Sequence, residues 1–312
     1  MKLLNALLVA VFAVMISSCG NYDLHEETVQ SGTLRIGIDE SYTLMMDSQV
    51  FVFEQLYKYA DIVPSYLPEG EVIDLLLKDS IRAAVICRPL NEQELALFES
   101  KKRFPESVAI AQDGLAFIVN PASTDSVFTV EQLEKIFRGE ITTWDELGRG
   151  GPKEKIEVVF DNNNSCNFRQ IKERFVGDVA FPSNCYAVKG NEQVMDHVAT
   201  HPGSVGVISV SWISDTHDPT SLSFINKVKV CGVVDPANLK RPDLPRKPIP
   251  AYIYDKSYPF GRTVYAIRAG TKGSLGTGFV SHLAGEKGQL IIQKMGMVPT
   301  TLHVRTVKVT EE

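Results

Sequence analysis

Cysteine is scarce and follows no pattern. Five occur in 312 residues: Cys19, Cys87, Cys166, Cys185 and Cys231. The last four match no zinc-ligand spacing and no CxxC pair, so no metal site is expected from them. Each reads as a small, buried side chain, and sequence does not pair them. GxSxG, Walker A and HExxH signatures are absent. The glycine-rich "GTKGSLGTG" lacks a lysine where a phosphate loop needs one. His201 precedes a proline and His217 lies in a polar stretch; neither has a nucleophile at a fitting spacing. Neither enzyme chemistry nor a cofactor is expected. Basic residues form no block, and 32 Lys+Arg against 38 Asp+Glu leave a net charge of -6, which argues against nucleic acid as a partner. No repeat or low-complexity segment stands out.

What is present begins at the N-terminus. One lysine precedes an apolar run from Leu3 to Ile16. The run is too short for a functional membrane span and reads as a secretory signal. It ends in "ISSC", which resembles a bacterial lipobox. That resemblance implies cleavage before Cys19 and lipidation of this cysteine. Residues 1–18 are then a signal peptide, and the polar residues 19–32 an anchor and tether. The protein is expected to be exported and lipid-anchored to the cell envelope, at the periplasmic face or the surface.

The mature chain is long enough for two domains of ordinary size. Strand and helix patterns alternate from Thr33 onward: "TLRIGID", a helix over 47–59, "ADIVPSYL", a helix over 70–80, "RAAVICRPL", and a helix over 91–103 capped by Asn91. A long extended run covers 107–121. This order implies an α/β unit with a largely parallel sheet. A helix from Thr129 to Gly139, the strand "KIEVVF", a helix over 191–202 and the strand "GSVGVISVSWI" form a second α/β unit. The proline-rich 241–252 is expected to be irregular. An extended return over 262–270 and two glycine-stopped helices close the chain.

Between "KIEVVF" and the following helix stands "DNNNSCNFRQIKERF". Phe168, Ile171 and Phe175 share a helical face, and Ser165 suits the N-cap. Phe168 sits where a capping box needs Glu or Gln. A helix start with unclaimed N–H groups beside Arg169 suits an anion. The other informative loops, "IDES", "YLPEGE" and "ICRPL", also follow strands. Open α/β sheets bind ligands along that edge.

Several stretches carry a family likeness: "ICRPLNEQE", "AQDGLAFIVNP", "FTVEQLEKIFRGEITTWDELG", "GSVGVISVSWI", "KSYPFGRTVYAI" and "GEKGQLIIQKMGMVP". From about Thr33 to Pro299 the chain resembles the phosphate-binding component of bacterial phosphate ABC transporters. The resemblance implies a two-domain α/β, type II periplasmic-binding-protein fold with a ligand cleft between domains. The first domain would comprise 33–117 and 259–310, and the second 118–258. It implies a monomer that binds inorganic phosphate and delivers it to an ABC permease of the membrane.

The likeness also suggests ligand-binding residues. "SCNFR" stands where the family has Ser-Gly-Thr-Arg, so Ser165 and Asn167 offer donors and Arg169 a guanidinium, one position late. On a helix that offset is a rotation of about 100°, and Arg169 could instead pair with Glu173. Ser41 keeps a family residue type and Arg88 the basic position. Glu40 and Glu69 are acidic replacements, and Cys87 stands where the family often has an acid. A carboxylate acceptor there would recognise the proton on phosphate. Three alternatives stay open: a surface adhesion or scaffold protein on this fold, a binder of another small anion, and a hydrolase using Ser165 or Cys166.

Overall fold

The computed structural model describes residues 27–148, 150–238 and 241–302. The expected signal peptide and Cys19 lie outside the described residues, as does most of the tether. No helix among the described residues is long and apolar enough to cross a membrane.

The strands are β1 (Ser31–Asp39), β2 (Tyr59–Leu67), β3 (Ala83–Ile86), β4 (Glu106–Val119), β5 (Val127–Thr129), β6 (Glu157–Phe160), β7 (Cys185–Ala187), β8 (Ser204–Ser209), β9 (Lys229–Val230), β10 (Gly232–Val234), β11 (Gly261–Arg268) and β12 (Val298–Pro299). Ten of them join in the order β2-β1-β3-β11-β4-β8-β6-β7, with β12 and β9 also on β4, and β5 pairs β10 separately. β4 is the shared strand. Its first part, Glu106–Gly114, lies antiparallel to β11, and Leu115–Val119 lies antiparallel to β8. β1, β2 and β3 run parallel, as do β6, β7 and β8. The expected largely parallel sheet is therefore mixed, because the chain crosses along β4 and returns antiparallel along β11.

The interior divides on either side of that crossing. One apolar cluster draws on Leu115 to Phe260, with Val298 added. Two others draw mainly on Leu34 to Ala111 and on Val264 to Met297. The buried β3 "AAVI" and β8 "SVGVIS" explain their unalternated sequences, since both faces are covered. Gly206 in β8 is required by close packing. A Cβ there would lie 2.7–2.9 Å from Val194, Ile118 and Val198, so the glycine lets the helix Asn191–Thr200 approach the sheet.

Local signals hold at Asn91 and Thr129, which form capping boxes with Glu94 and Gln132. Gly139 ends the second of these helices at φ 75°. Two segments differ from expectation. The proline-rich stretch ends in a short helix, Pro250–Tyr254, because Pro250 occupies the first turn, where a missing N–H costs little. The helix after Ser165 runs only over Cys166–Ile171 and then widens into a π-turn over Lys172–Val176. The wider turn seats Phe175 in the core, stacked on Phe137 at 5.8 Å.

Candidate functional site

Parallel strands bring their C-terminal ends to one edge, and the two halves face each other there. The first half supplies Asp39, Glu40 and Ser41 after β1, Glu69 after β2, and Cys87 and Arg88 after β3. The second half supplies Asp161 and the Ser165–Arg169 segment after β6, Asn191 after β7, and Ser209 and Ser211 at the end of β8. All seven ligand-binding candidates read from the sequence therefore come to this cleft.

Their partners are protein groups. Arg88 forms a two-pronged pair with Glu94, at 2.8 and 2.7 Å, the same Glu94 that caps its helix. Arg169 reaches across the cleft. Its Nε lies 2.5 Å from Glu69 Oε1, its Nη1 2.8 Å from Glu173 and its Nη2 3.1 Å from Cys87 Sγ. Glu69, 2% exposed, also accepts from the Cys87 N–H at 3.2 Å. Ser165 does cap its helix, accepting from the Phe168 N–H at 3.1 Å, but its hydroxyl donates to Asp161 at 2.6 Å. Asn167 donates to Asp161 at 2.8 Å. A carboxylate thus occupies the helix-start region where an anion was expected. Ser41 is buried, with its Oγ 3.5 Å from Cys166 Sγ, and its carbonyl accepts from Ser211.

Several site residues were not singled out in the sequence. Arg262, on β11, is buried and bound to Asp113 at 2.8 Å, Asn167 Oδ1 at 2.8 Å and Cys166 Sγ at 3.1 Å. Asn191 donates to Glu40 at 2.6 Å and to Asp161 at 3.3 Å, and accepts from the Ser209 N–H at 2.9 Å. Asp39 accepts from the Ser41 N–H at 2.9 Å, while its buried Oδ2 has no partner among the described residues. Asp39 ends β1 and Asp161 directly follows β6, so the strand-edge rule could have found them. Arg262 offered no local signal.

Charge in the cleft is unevenly paired. Each guanidinium faces a carboxylate: Arg88 with Glu94, Arg169 with Glu69, and Arg262 with Asp113. Asp39, Glu40 and Asp161 form no ion pair among the described residues. Burial pushes the Asp39 carboxyl up, and the nearby Glu69 charge adds to this. Burial takes Glu40 to about 7, against the hydrogen bonds from Asn191. It takes Asp161 to about 8, against the bond from Ser165 and helped by Asp39 and Glu40.

These three carboxylates line a cavity of about 200 Å³ between the halves, together with Tyr66, Leu67, Pro68, Asn162, Ser165, Lys189 and Gly190. A larger hollow of about 480 Å³, by Tyr57, His282 and Lys287, lies away from these strand ends. The cleft cavity is the better candidate, because polar groups from several elements converge on it. Beside it, Glu69, Cys87 and Cys166 place an oxygen and two sulfurs within 4.8 Å of one another. Arg169 and Arg262 already contact those sulfurs, which opposes a metal ion there. Cys87, Cys166, Cys185 and Cys231 are free thiols. Three are buried as expected and Cys185 is half-buried.

Comparison with known proteins places this geometry. The family described as PBP superfamily domain matches residues 25–287. The chain belongs to that family. It is a family of solute-binding transport proteins and not of enzymes. The phosphate-binding protein PstS of Bacillus subtilis (strain 168) is 23% identical over 310 residues, covering 96% of this chain and 94% of that one. PstS of Borreliella burgdorferi is 22% identical over 225 residues, 69% of this chain and 75% of that one. A crystal structure of a phosphate ABC transporter substrate-binding protein with bound phosphate, described as putative, from Clostridium perfringens, aligns with TM-score 0.71 at 20% identity. It covers 86% of this chain and 100% of that one. An ABC-type phosphate transport receptor from Vibrio cholerae aligns with TM-score 0.64 at 22% identity, over 86% and 100%. The fold is the two-domain type II fold of these binding proteins.

Proposed function

We propose that the chain is the solute receptor of an envelope uptake system. It is exported, held to the membrane by a lipid on Cys19, and passes a small solute from the cleft to an ABC permease as a monomer. The observation that carries this reading is the convergence of side chains from both halves on one small cavity at the strand ends. Contacts across the cleft, Glu69–Arg169, Glu40–Asn191 and the Gly70 N–H to Asn164 O bond at 3.0 Å, are of the kind that close on a ligand. Phosphate is the solute in the relatives' names and the first to titrate. Ser41, Ser165 and Asn167 would donate to it, and Arg88 and Arg169 would supply charge once released from Glu94 and Glu69. Calorimetry of the full chain in detergent against phosphate and sulfate tests this. Phosphate binding that Arg169→Ala abolishes supports it, and absence of phosphate binding rejects phosphate as the solute.

Cys19→Ser should move the protein to the soluble fraction or leave it unprocessed. Unchanged mass and membrane fractionation would reject the anchor.

A further inference from the structure

We infer that Cys87 and Cys166 are a dithiol that joins into a reversible disulfide across the cleft, a covalent latch between the two halves. The inference rests on the proposed export and on the reading of the cleft as a solute site. Cys87 follows β3 in the first half, and Cys166 opens the helix after β6 in the second. Their sulfurs lie within 4.8 Å of each other. Cys166 is buried and packs in an apolar cluster drawn otherwise from the first half, together with Cys87. Its thiol thus already crosses the boundary that a solute receptor opens and closes. Cys185 and Cys231 instead pack with the second half's cluster. A change of χ1 rotamer at Cys87 or Cys166 moves its sulfur on the scale of the gap that remains. All four thiols are free here, so the structure is that of the reduced form.

The groups around Cys87 suit exchange with a disulfide. Arg169 Nη2 lies 3.1 Å from its sulfur and would steady a thiolate, and Glu69 Oε2, 3.3 Å away, would receive the thiol proton. Cys166 is the resolving partner. Burial pushes its thiol up and Cys87 adds to this, while Arg262, with Nη1 at 3.1 Å, opposes. The Cys87 sulfur attacks one sulfur of a small disulfide oxidant, whose other half leaves as a thiol with the Cys87 proton. The Cys166 sulfur then attacks the Cys87 sulfur of this mixed disulfide, and the second half of the oxidant leaves as a thiol with the Cys166 proton. Two protein thiols are oxidised, the oxidant is reduced to two thiols, and two electrons pass. Cys87 is 6% exposed and Cys166 0%, so the first attack needs an open cleft and the second a closed one. Disulfides persist in the oxidising compartments that exported proteins enter. The oxidised receptor would hold its cleft shut, neither taking up nor releasing solute until it is reduced.

The test is oxidation of the full chain in detergent, reduced beforehand, with hydroxyethyl disulfide, followed by acid quenching, pepsin digestion and mass spectrometry. A peptide pair joined through Cys87 and Cys166 should appear and should revert with dithiothreitol. It should be lost in Cys87→Ser and in Cys166→Ser and kept in Cys231→Ser. The latch itself is read by hydrogen exchange at Gly70, whose N–H donates across the cleft to Asn164 O at 3.0 Å. Oxidation should slow that exchange about tenfold or more in the wild type and leave it unchanged in Cys166→Ser. Should Cys166→Ser fail to fold, the joined peptide and the reversal of the slowed exchange by dithiothreitol carry the test. Thiols that stay free, a mixed disulfide that persists at Cys87, or unslowed Gly70 exchange in the cross-linked protein overturns the inference. Phosphate titration of the reduced protein separates this from the solute reading. A latch without phosphate binding supports the inference and rejects phosphate as the solute. Phosphate binding without the joined peptide overturns the inference and leaves the receptor reading intact.

Discussion

Replacing Glu40 by Gln removes one unpaired carboxylate while leaving an acceptor for Asn191. In the folded protein burial lifts this group from 4.5 to about 7, with Asp39 and Glu192 adding repulsion and Asn191 opposing. The folded state therefore binds the proton more tightly than the unfolded chain. The contribution to stability is fully present below 4.5 and is lost as pH rises through about 7. At about 1.4 kcal/mol per pKa unit the ceiling is about 3 kcal/mol. Solvent screening of a half-buried side chain brings the expected effect nearer 1–2 kcal/mol, as an order of magnitude. Urea unfolding of both proteins at pH about 5 and about 8.5 reads it directly. The wild type should lose more stability between the two pH values than Glu40→Gln, and the variant's advantage should be larger at the higher pH. Parallel pH dependence in the two proteins would refute the buried, unpaired state assigned to Glu40.

Arg169→Ala leaves Glu69 buried with Arg88 at 3.6 Å and with the Cys87 N–H and thiol at 3.2 and 3.3 Å, and should cost about 2–4 kcal/mol. It should also raise the solution radius of gyration as the cleft opens, and an unchanged radius would count against the cross-cleft role. Ser165→Ala removes both the helix cap and the bond to Asp161 and should cost about 1–2 kcal/mol, lowering the thermal midpoint. An unshifted midpoint would contradict that dual role.

Much of the frame was legible because strand and helix periods and cap residues are local. Asn91, Thr129 and Ser165 act as caps as their sequence context implies. The strand-edge rule likewise led to Ser41, Glu69, Arg88 and Arg169, since parallel strands put their ends together. Partner choice was not legible. Arg88 prefers Glu94, which lies one loop away, and Arg169 takes Glu69 as well as the neighbour Glu173. The Arg169–Glu69 pairing depends on how the halves approach. Arg262 and Asp113 meet only because β11 returns antiparallel along β4, a pairing that no local pattern specifies. The π-turn after Ile171 was equally hidden, because it answers to the position of Phe137 in the second half's core.

The most direct test is a crystal structure of the protein grown with phosphate, beside one grown without it. The account predicts phosphate seated in the cleft between Ser41 and Ser165, with Arg88 and Arg169 turned onto it and away from Glu94 and Glu69. A cleft that holds no anion at saturating phosphate, with Arg169 still on Glu69, would contradict it.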